Sequence, residues 1–302
     1  MTIAVTGATG FVGCALREAA AEQGAELRAL TRRKQPGAAG VEWIEGDLHD
    51  RKALTRLVAK AEAVIHVAGV VNTPDPMGFH LGNVEGTMAL VEAAVAARVP
   101  RFVFVSSLAA REPQLSKYGA SKRHAEKLVA ASGLDWTIVR PPAIYGPRDR
   151  EILDIFRAAR WGVVPMPPPG RASIIHVDDL ARLLLNLVPG YESTSHRVFE
   201  PHDGREGGWP HARLARAIGR AVGKSVWAPS LPRRALGAAA WLDRRLRGRK
   251  AKLTPDRVDY MCHPDWVSHP DKAPPLELWR PEISTRDGLK ATAAWYREQG
   301  WL

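Results

Sequence analysis

The chain has 302 residues, 45% apolar and 25% charged, an ordinary globular balance that suits one large α/β domain or a nucleotide-binding domain with a smaller companion. Two cysteines, Cys14 and Cys262, argue against a disulfide framework and fit a reducing compartment; with no run of about 18 apolar residues, a spanning helix is excluded. The net charge of +11 is local: residues 233–252 carry eight cations against Asp243 alone, +7 of the total, so the chain does not read as basic throughout or as a nucleic-acid binder.

Strand residues begin at Thr2, which leaves no room for a signal peptide and points to a soluble, cytoplasmic protein. In Thr2-Ile3-Ala4-Val5-Thr6-Gly7-Ala8-Thr9-Gly10-Phe11-Val12-Gly13 a β-branched run ends in three glycines spaced three apart, and a helical segment with Leu16, Ala19 and Ala20 follows. Strand, tight turn and helix in this order let the backbone approach a pyrophosphate, whose charge exposed N–H groups and the helix dipole stabilise. The spacing departs from G-x-G-x-x-G, and a turn that binds no ligand has the same local pattern.

Residues 26–32 and 41–47 read as strands two and three, and 51–60 as a helix with Leu54, Leu57 and Val58 on one face. The continuous apolar run Ala63-Val64-Ile65-His66-Val67-Ala68 suits a strand buried on both faces. A helix over 82–98, a strand over 101–106, a helix over 121–132 and a closing strand over 136–140 complete an alternating series. The series predicts an α/β, Rossmann-type, doubly wound parallel sheet over residues 1–150.

From Pro141 prolines become frequent, and 151–302 reads mainly as a smaller, mostly helical substrate domain, with 174–190 returning to the first domain. Asp178-Asp179 ahead of an apolar helical run reads as N-terminal capping. Seven of the ten tryptophans lie beyond residue 200, where packing of the small domain is their ordinary use.

Tyr118 and Lys122 share a helix face, four residues apart, and Ser106-Ser107 end the preceding strand on the sheet edge that carries the glycine turn. An ammonium beside a phenol favours the ionised form, the condition for acid–base work, and a neighbouring hydroxyl can hold the substrate oxygen.

In these residues the chain resembles the short-chain dehydrogenase/reductase superfamily, in its extended branch. The resemblance spans nearly the whole sequence. It rests on the glycine turn, Gly46-Asp47-Leu48, Val64-Ile65-His66-Val67-Ala68-Gly69, Asn83-Val84-Glu85-Gly86-Thr87, Val105-Ser106-Ser107 and Tyr118-Gly119-Ala120-Ser121-Lys122. It continues through Arg140-Pro141-Pro142-Ala143-Ile144-Tyr145-Gly146-Pro147, Ile175-His176-Val177-Asp178-Asp179 and the end Trp295-Tyr296-Arg297-Glu298-Gln299-Gly300-Trp301-Leu302.

The resemblance implies an NAD(P)-dependent oxidoreductase. Ser107 would hold the substrate oxygen, Tyr118 would move the proton, and Lys122 would bind the nicotinamide ribose and lower the Tyr118 pKa. Gly7, Thr9, Gly10, Phe11, Val12 and Gly13 would line the pyrophosphate, Asp47 and Leu48 the adenine, Ala68 and Gly69 the adenosine side, and Pro141, Ala143 and Ile144 the nicotinamide. Asn83 matches a position near the active site, and helix packing explains it equally well. No metal site is expected.

Where an acid after strand two would favour NAD, this chain has Thr31-Arg32-Arg33-Lys34. A guanidinium suits a 2′-phosphate, so NADP is preferred, with NAD as the alternative. Apolar Val70-Val71 and the proline-rich loop over 163–169 fit a fairly apolar alcohol or ketone, as in steroid-dehydrogenase and flavonoid-reductase relatives. Ser107-Leu108-Ala109-Ala110 lacks the acidic pair of dehydratases. A sugar-nucleotide epimerase or dehydratase with retained cofactor, and a non-catalytic NAD(P)-binding scaffold or sensor, are the alternatives. Segment 231–252 interleaves apolar residues with arginines, as in helices lying on anionic membranes; a solvated helix is the competing reading. A homodimer is left open.

Overall fold

The computed structural model describes residues 2–73, 75–248, 251 and 253–302. The chain separates into two compact units. The first comprises residues 1–140, 180–200 and 274–279, the second 141–179, 201–273 and 280–302.

In the first unit β1 (Thr2–Thr6), α1 (Phe11–Glu22), β2 (Glu26–Thr31), β3 (Val41–Glu45), α2 (Arg51–Val58) and β4 (Ala63–His66) open the alternation read from sequence. After β4 come the short α3 (Pro76–Phe79), a π-turn over His80–Glu85, α4 (Gly86–Ala96), β5 (Phe102–Val105), α5 (Lys117–Ala130) and β6 (Trp136–Val139). Seven strands form one parallel sheet, and its far edge is a strand the sequence did not reveal. Beyond β6 lies β10 (Arg197–Phe199), so the sheet does not close at residue 140. Three residues with one buried side chain carry too little periodicity to read as a strand; β10 exists because β6 offers it a hydrogen-bonding edge. The spatial order is β10-β6-β5-β4-β1-β2-β3, with the chain reversing direction across the sheet at β1 and β4.

β4 and β5 are buried at every position, as a parallel sheet covered on both faces requires. Leu54 and Leu57 of α2, Leu90 of α4 and Phe102 and Phe104 of β5 belong to one core cluster. Right-handed crossovers place α1 on the opposite face from α4.

Two helix starts differ from expectation. The helix read over 82–98 is a π-turn followed by α4, and Thr87 Oγ1 donates to the Asn83 carbonyl across the junction (2.7 Å). Helix α5 begins at Lys117, a turn earlier than expected, because Ser116 caps it by accepting the Gly119 N–H (2.9 Å). That extra turn brings Tyr118 into the helix with Lys122.

The second unit contains β7 (Ala143–Tyr145), α6 (Leu153–Arg160), β8 (Arg171–Ala172), β9 (Ile174–His176), β11 (Trp209–Pro210), α8 (His211–Val222), α9 (Arg233–Arg247), α10 (Pro255–Met261), β12 (Asp265–Trp266) and α11 (Thr285–Glu298). Its main core gathers Tyr145, Phe156, Ile218, Leu289 and Tyr296. Between β9 and β10, α7 (Val177–Asn186) starts in this unit and from Leu180 belongs to the first. The capping expected of Asp179 takes a different form: its buried carboxylate accepts the N–H groups of Glu282 (3.1 Å) and Ile283 (3.2 Å), just ahead of α11. It thereby joins two segments more than a hundred residues apart.

At the β1–α1 turn, Gly7 has φ +75°, and a Cβ there would stand 2.7 Å from the Ala68 nitrogen. A Cβ on Gly13 would stand 2.1 Å from the Gly7 carbonyl oxygen and 2.6 Å from the Ala8 Cα. The obstacles are backbone atoms that cannot rotate away. Gly13→Ala is expected to lower unfolding free energy by about 2–3 kcal/mol. Gly37→Ala, with open space around it, should remain within about 0.5 kcal/mol of the parent. Urea unfolding of both variants checks this, and equal stabilities would contradict it.

Candidate active site

The glycine turn fits a dinucleotide pyrophosphate. Gly10 caps α1 without a side-chain bond to its amides, no acid stands in the first turn, and Thr9 and Gly10 are exposed. The first N–H groups of α1 are thus open to an anion, with the helix dipole aligned toward it. Phe11 is half-buried, while Val12 and Gly13 are buried in the helix base.

Beneath this turn, β1 and β4 are linked by a hydrogen-bonded row. Thr6 Oγ1 lies 2.6 Å from His66 Nδ1 and accepts the Ala68 N–H (3.2 Å); His66 Nε2 lies 2.9 Å from Thr87 Oγ1. Since the Thr87 hydroxyl spends its proton on the Asn83 carbonyl, it accepts from Nε2–H, and Nδ1 accepts from Thr6. The ring is therefore neutral with one defined tautomer. Burial first, and the Lys122 charge second, push its pKa down to about 3.

Asn83 holds the segment after β4. Its Oδ1 accepts the Val70 N–H (2.6 Å), and its Nδ2 donates to the Val70 carbonyl (2.9 Å) and to Ser121 Oγ (2.9 Å). Ser121 in turn donates to the Tyr118 carbonyl (2.7 Å). Asn83 thus connects the Val70 backbone, next to Gly69, to the first turn of α5. A Cβ on Gly69 would lie 3.1 Å from Asn83 Oδ1 and 3.5 Å from Lys122 Nζ. Gly69, Asn83 and Lys122 are neighbours.

The buried Lys122 Nζ donates to the Val105 carbonyl at the end of β5 (2.7 Å) and stands 4.6 Å from the Phe104 ring centre. Burial lowers its pKa to about 8 although the Glu126 charge pulls it up. Tyr118 is half-buried, and its ring centre lies 6.0 Å from that of Phe79. The neighbouring serines divide their work. Ser106 is buried and donates to Glu126 Oε1 (2.6 Å), whereas Ser107 is half-buried and accepts the Ala109 N–H (3.2 Å), its hydroxyl proton remaining available.

Glu126 anchors this corner and was not singled out in the sequence. Arg140 meets it through a two-bond fork, Nε to Oε1 and Nη2 to Oε2, both 2.7 Å, and Arg123 adds a bond of 3.0 Å. Arg140 also reaches Glu200 after β10 (3.3 Å), and Arg111 joins from the turn after Ser107 (3.4 Å). Burial alone raises the Glu126 pKa, but Arg140, Ser106 and Arg123 outweigh it and hold the carboxyl below its ordinary range. The only sequence signal was a charged residue on the helix before β6 and another just after that strand, fourteen positions apart.

The remaining predicted residues lie as follows. Arg32 is exposed just after β2. Asp47 accepts the His49 (2.8 Å) and Asp50 (3.2 Å) N–H groups, and Leu48 packs where Gly86 leaves room for it. Pro141, Ala143 and Ile144 belong to the second unit, Pro141 buried, Ala143 exposed and Ile144 half-buried. Within the first unit, Gly7, Gly13, Ala68, Gly69, Ser107, Tyr118 and Lys122 all sit at the carboxyl-end edge of the sheet, where ligands gather in open α/β folds.

Against known proteins, the profile of the NAD dependent epimerase/dehydratase family matches residues 3–199. A ceramide reductase of Caulobacter vibrioides is 38% identical over 309 residues, covering 99% of this chain and 96% of the relative. A 2-alkyl-3-oxoalkanoate reductase of Stenotrophomonas maltophilia is 29% identical, covering 97% and 99%. The crystal structure of gox2253 superposes with a TM-score of 0.80 at 26% identity, covering 100% and 99%.

His66 gives the site a pH signature. Its folded pKa is lowered, so the neutral ring's stabilisation is complete above the unfolded value near 6.5 and is lost as pH falls toward 3. Unfolding free energy should drop by about 1.4 kcal/mol per pH unit below 6 from this group. Urea titrations from pH 7.5 to 5 on parent and His66→Gln should differ in slope by that amount, the slopes of the other buried groups being common to both; equal slopes would refute it.

Proposed function

Because the chain belongs to the NAD dependent epimerase/dehydratase family and is an NAD(P)-dependent oxidoreductase of the extended short-chain type, we propose that it reduces the carbonyl of a fairly apolar substrate, using NADPH and Tyr118 as the acid. The observation that carries this reading is the α5 pair. Tyr118 stands one turn before Lys122, whose ammonium is held on the Val105 carbonyl beside Gly69, and Ser107 follows Val105 by two residues.

When bound, the nicotinamide supplies the hydride to the carbonyl carbon. The chain's own residues manage the oxygen: Ser107 Oγ–H holds it, and Tyr118 gives it a proton as charge develops. Lys122 holds the ribose and makes the tyrosinate easier to form. Thr9, Gly10 and the first α1 amides hold the pyrophosphate, with Phe11 and Val12 setting the helix start. Asp47 and Leu48 flank the adenine, Ala68 and Gly69 the adenosine side, and Pro141, Ala143 and Ile144 belong beside the nicotinamide. The second unit recognises the substrate. That the relatives are named for ceramide and for 2-alkyl-3-oxoalkanoate supports a substrate with long alkyl groups. Neither Leu108, Ala109 nor Ala110 offers the acidic pair of a dehydratase.

Tyr118→Phe should lower kcat on any accepted ketone by about 100- to 10,000-fold while changing NADPH affinity, read by nucleotide fluorescence, by less than about threefold. Retained turnover would remove Tyr118 from the chemistry. A tightly retained, unexchanged dinucleotide in the purified protein would favour an epimerase instead.

Arg32, exposed just after β2, would meet the 2′-phosphate of NADP. Arg32→Ala should raise the NADPH KM by about 10- to 100-fold and leave the NADH KM within about twofold. Parallel weakening of both cofactors, or of neither, would contradict the assignment.

A further inference from the structure

The second unit carries a surface that the reduction itself does not use. Between Pro210 and Gly248 the sequence holds nine Lys and Arg residues and one acid, Asp243. On α8, Arg213, Arg216 and Arg220 are exposed at helical spacing, and Lys224 continues the row past the Gly223 cap. Arg216, Arg220 and Lys224 line one open depression with Ser225 and Val226. The next residue is Trp227, which leaves 69% of its surface exposed. Val163 is its bridge partner, so the two side chains share a face, and Trp161, two residues earlier, is 87% exposed.

Six residues beyond Trp227 the chain enters α9, whose two sides have different partners. Leu236 and Ala240 are buried and pack with Val258, and Asp243 follows on that side, accepting the Leu253 N–H (2.9 Å). A second apolar stripe, Ala235, Ala238, Ala239, Leu242 and Leu246, lies about 100° around the helix and is exposed. Leu246 leaves 75% of its surface uncovered. Trp241, Arg234 and Arg245 border this stripe, and the Arg245 guanidinium lies 5.6 Å from the Trp241 ring centre. Residues 249, 250 and 252, the rest of the basic segment read from sequence, lie outside the described residues.

We propose that this surface docks the protein on an anionic bilayer, with Trp161, Trp227 and the Ala235–Leu246 stripe entering the interface and the flanking arginines meeting lipid phosphates. Two separate features select a bilayer over other occupants. Arg233 is paired with Asp259 and Arg247 with Asp243, and the cations that remain still outnumber the acids, so the partner is anionic; the exposed side chains include three tryptophans and two leucines, which a polyanion such as nucleic acid gives no apolar place to enter. Tryptophan prefers the headgroup boundary because its ring is apolar and its N–H is not. No described helix is long and apolar enough to cross a membrane, so the contact is peripheral. The surface is independent of which ketone the site reduces.

Co-sedimentation of the full chain with vesicles tests it, comparing phosphatidylcholine alone with phosphatidylcholine plus phosphatidylglycerol. The parent should bind only the anionic vesicles, release in high salt, and shift its tryptophan emission to the blue. Arg234→Glu with Arg244→Glu and Arg245→Glu should weaken partitioning at least about 100-fold, since each lost arginine removes about fivefold. Trp241→Ser with Leu242→Ser and Leu246→Ser, arginines intact, should also lose most binding and the emission shift. Both triple variants are at exposed positions and should keep the parent melting temperature and turnover on a water-soluble ketone. Absence of parent binding, or full binding by the apolar triple variant, overturns the proposal; the latter outcome would reduce the contact to charge attraction alone, with no side chain entering the interface.

Discussion

The buried fork between Glu126 and Arg140 is the constraint on which the site depends. A lone carboxylate or guanidinium in this interior would cost several kcal/mol, but here each charge is answered by the other in two parallel hydrogen bonds of 2.7 Å. The residues it joins are the ones that must be in register. Ser106 fixes the end of β5 immediately before Ser107, Glu126 fixes α5 two turns after Tyr118, and Arg140 with Glu200 fixes the ends of β6 and β10. Such a pair adds little net stability over an apolar replacement, since desolvation consumes most of the Coulomb gain. Its contribution is geometric: the orientation of α5 against the sheet edge is determined by the fork's planar fit.

A second row of polar groups does comparable work beneath the nucleotide turn. Thr6, His66, Thr87 and Asn83 are all buried, and every proton in the row has one acceptor. Satisfaction of that row requires a neutral histidine, which burial enforces. Lys122 shares the same interior and is held on a carbonyl oxygen and an aromatic face rather than on a carboxylate. Its ammonium therefore keeps a directed charge toward the place where Gly69 leaves space. Rigid scaffold and poised charge arise from the same low-dielectric region.

The two units make different demands on their surfaces. In the first, the family's residues crowd the carboxyl edge of a sheet whose architecture recurs in proteins with little sequence in common. In the second, exposed tryptophans and a one-sided charge stand away from any core, although tryptophan's ordinary use is packing. Trp266 follows that ordinary use and is buried, whereas Trp161, Trp227 and Trp241 do not. Side chains so costly to leave in water point to a surface with a partner of its own.

The sequence by itself determined the parallel sheet, the glycine turn and the pairing of Tyr118 with Lys122. Each of these is written in neighbouring residues: continuous apolar runs, glycines three apart, and two side chains one helical turn apart. Other features were decided only by tertiary structure. β10 is a strand because β6 provides its edge, and α5 starts at Lys117 through a cap whose competitors look equally good in sequence. Asp179 bonds amides a hundred residues away, and Glu126 and Arg140 carry no sign of their meeting. Periodicity is a local property that one segment carries alone. A buried charge, a neutral histidine or an edge strand acquires its meaning from what the fold brings against it, and those partners lie fourteen to more than a hundred residues distant.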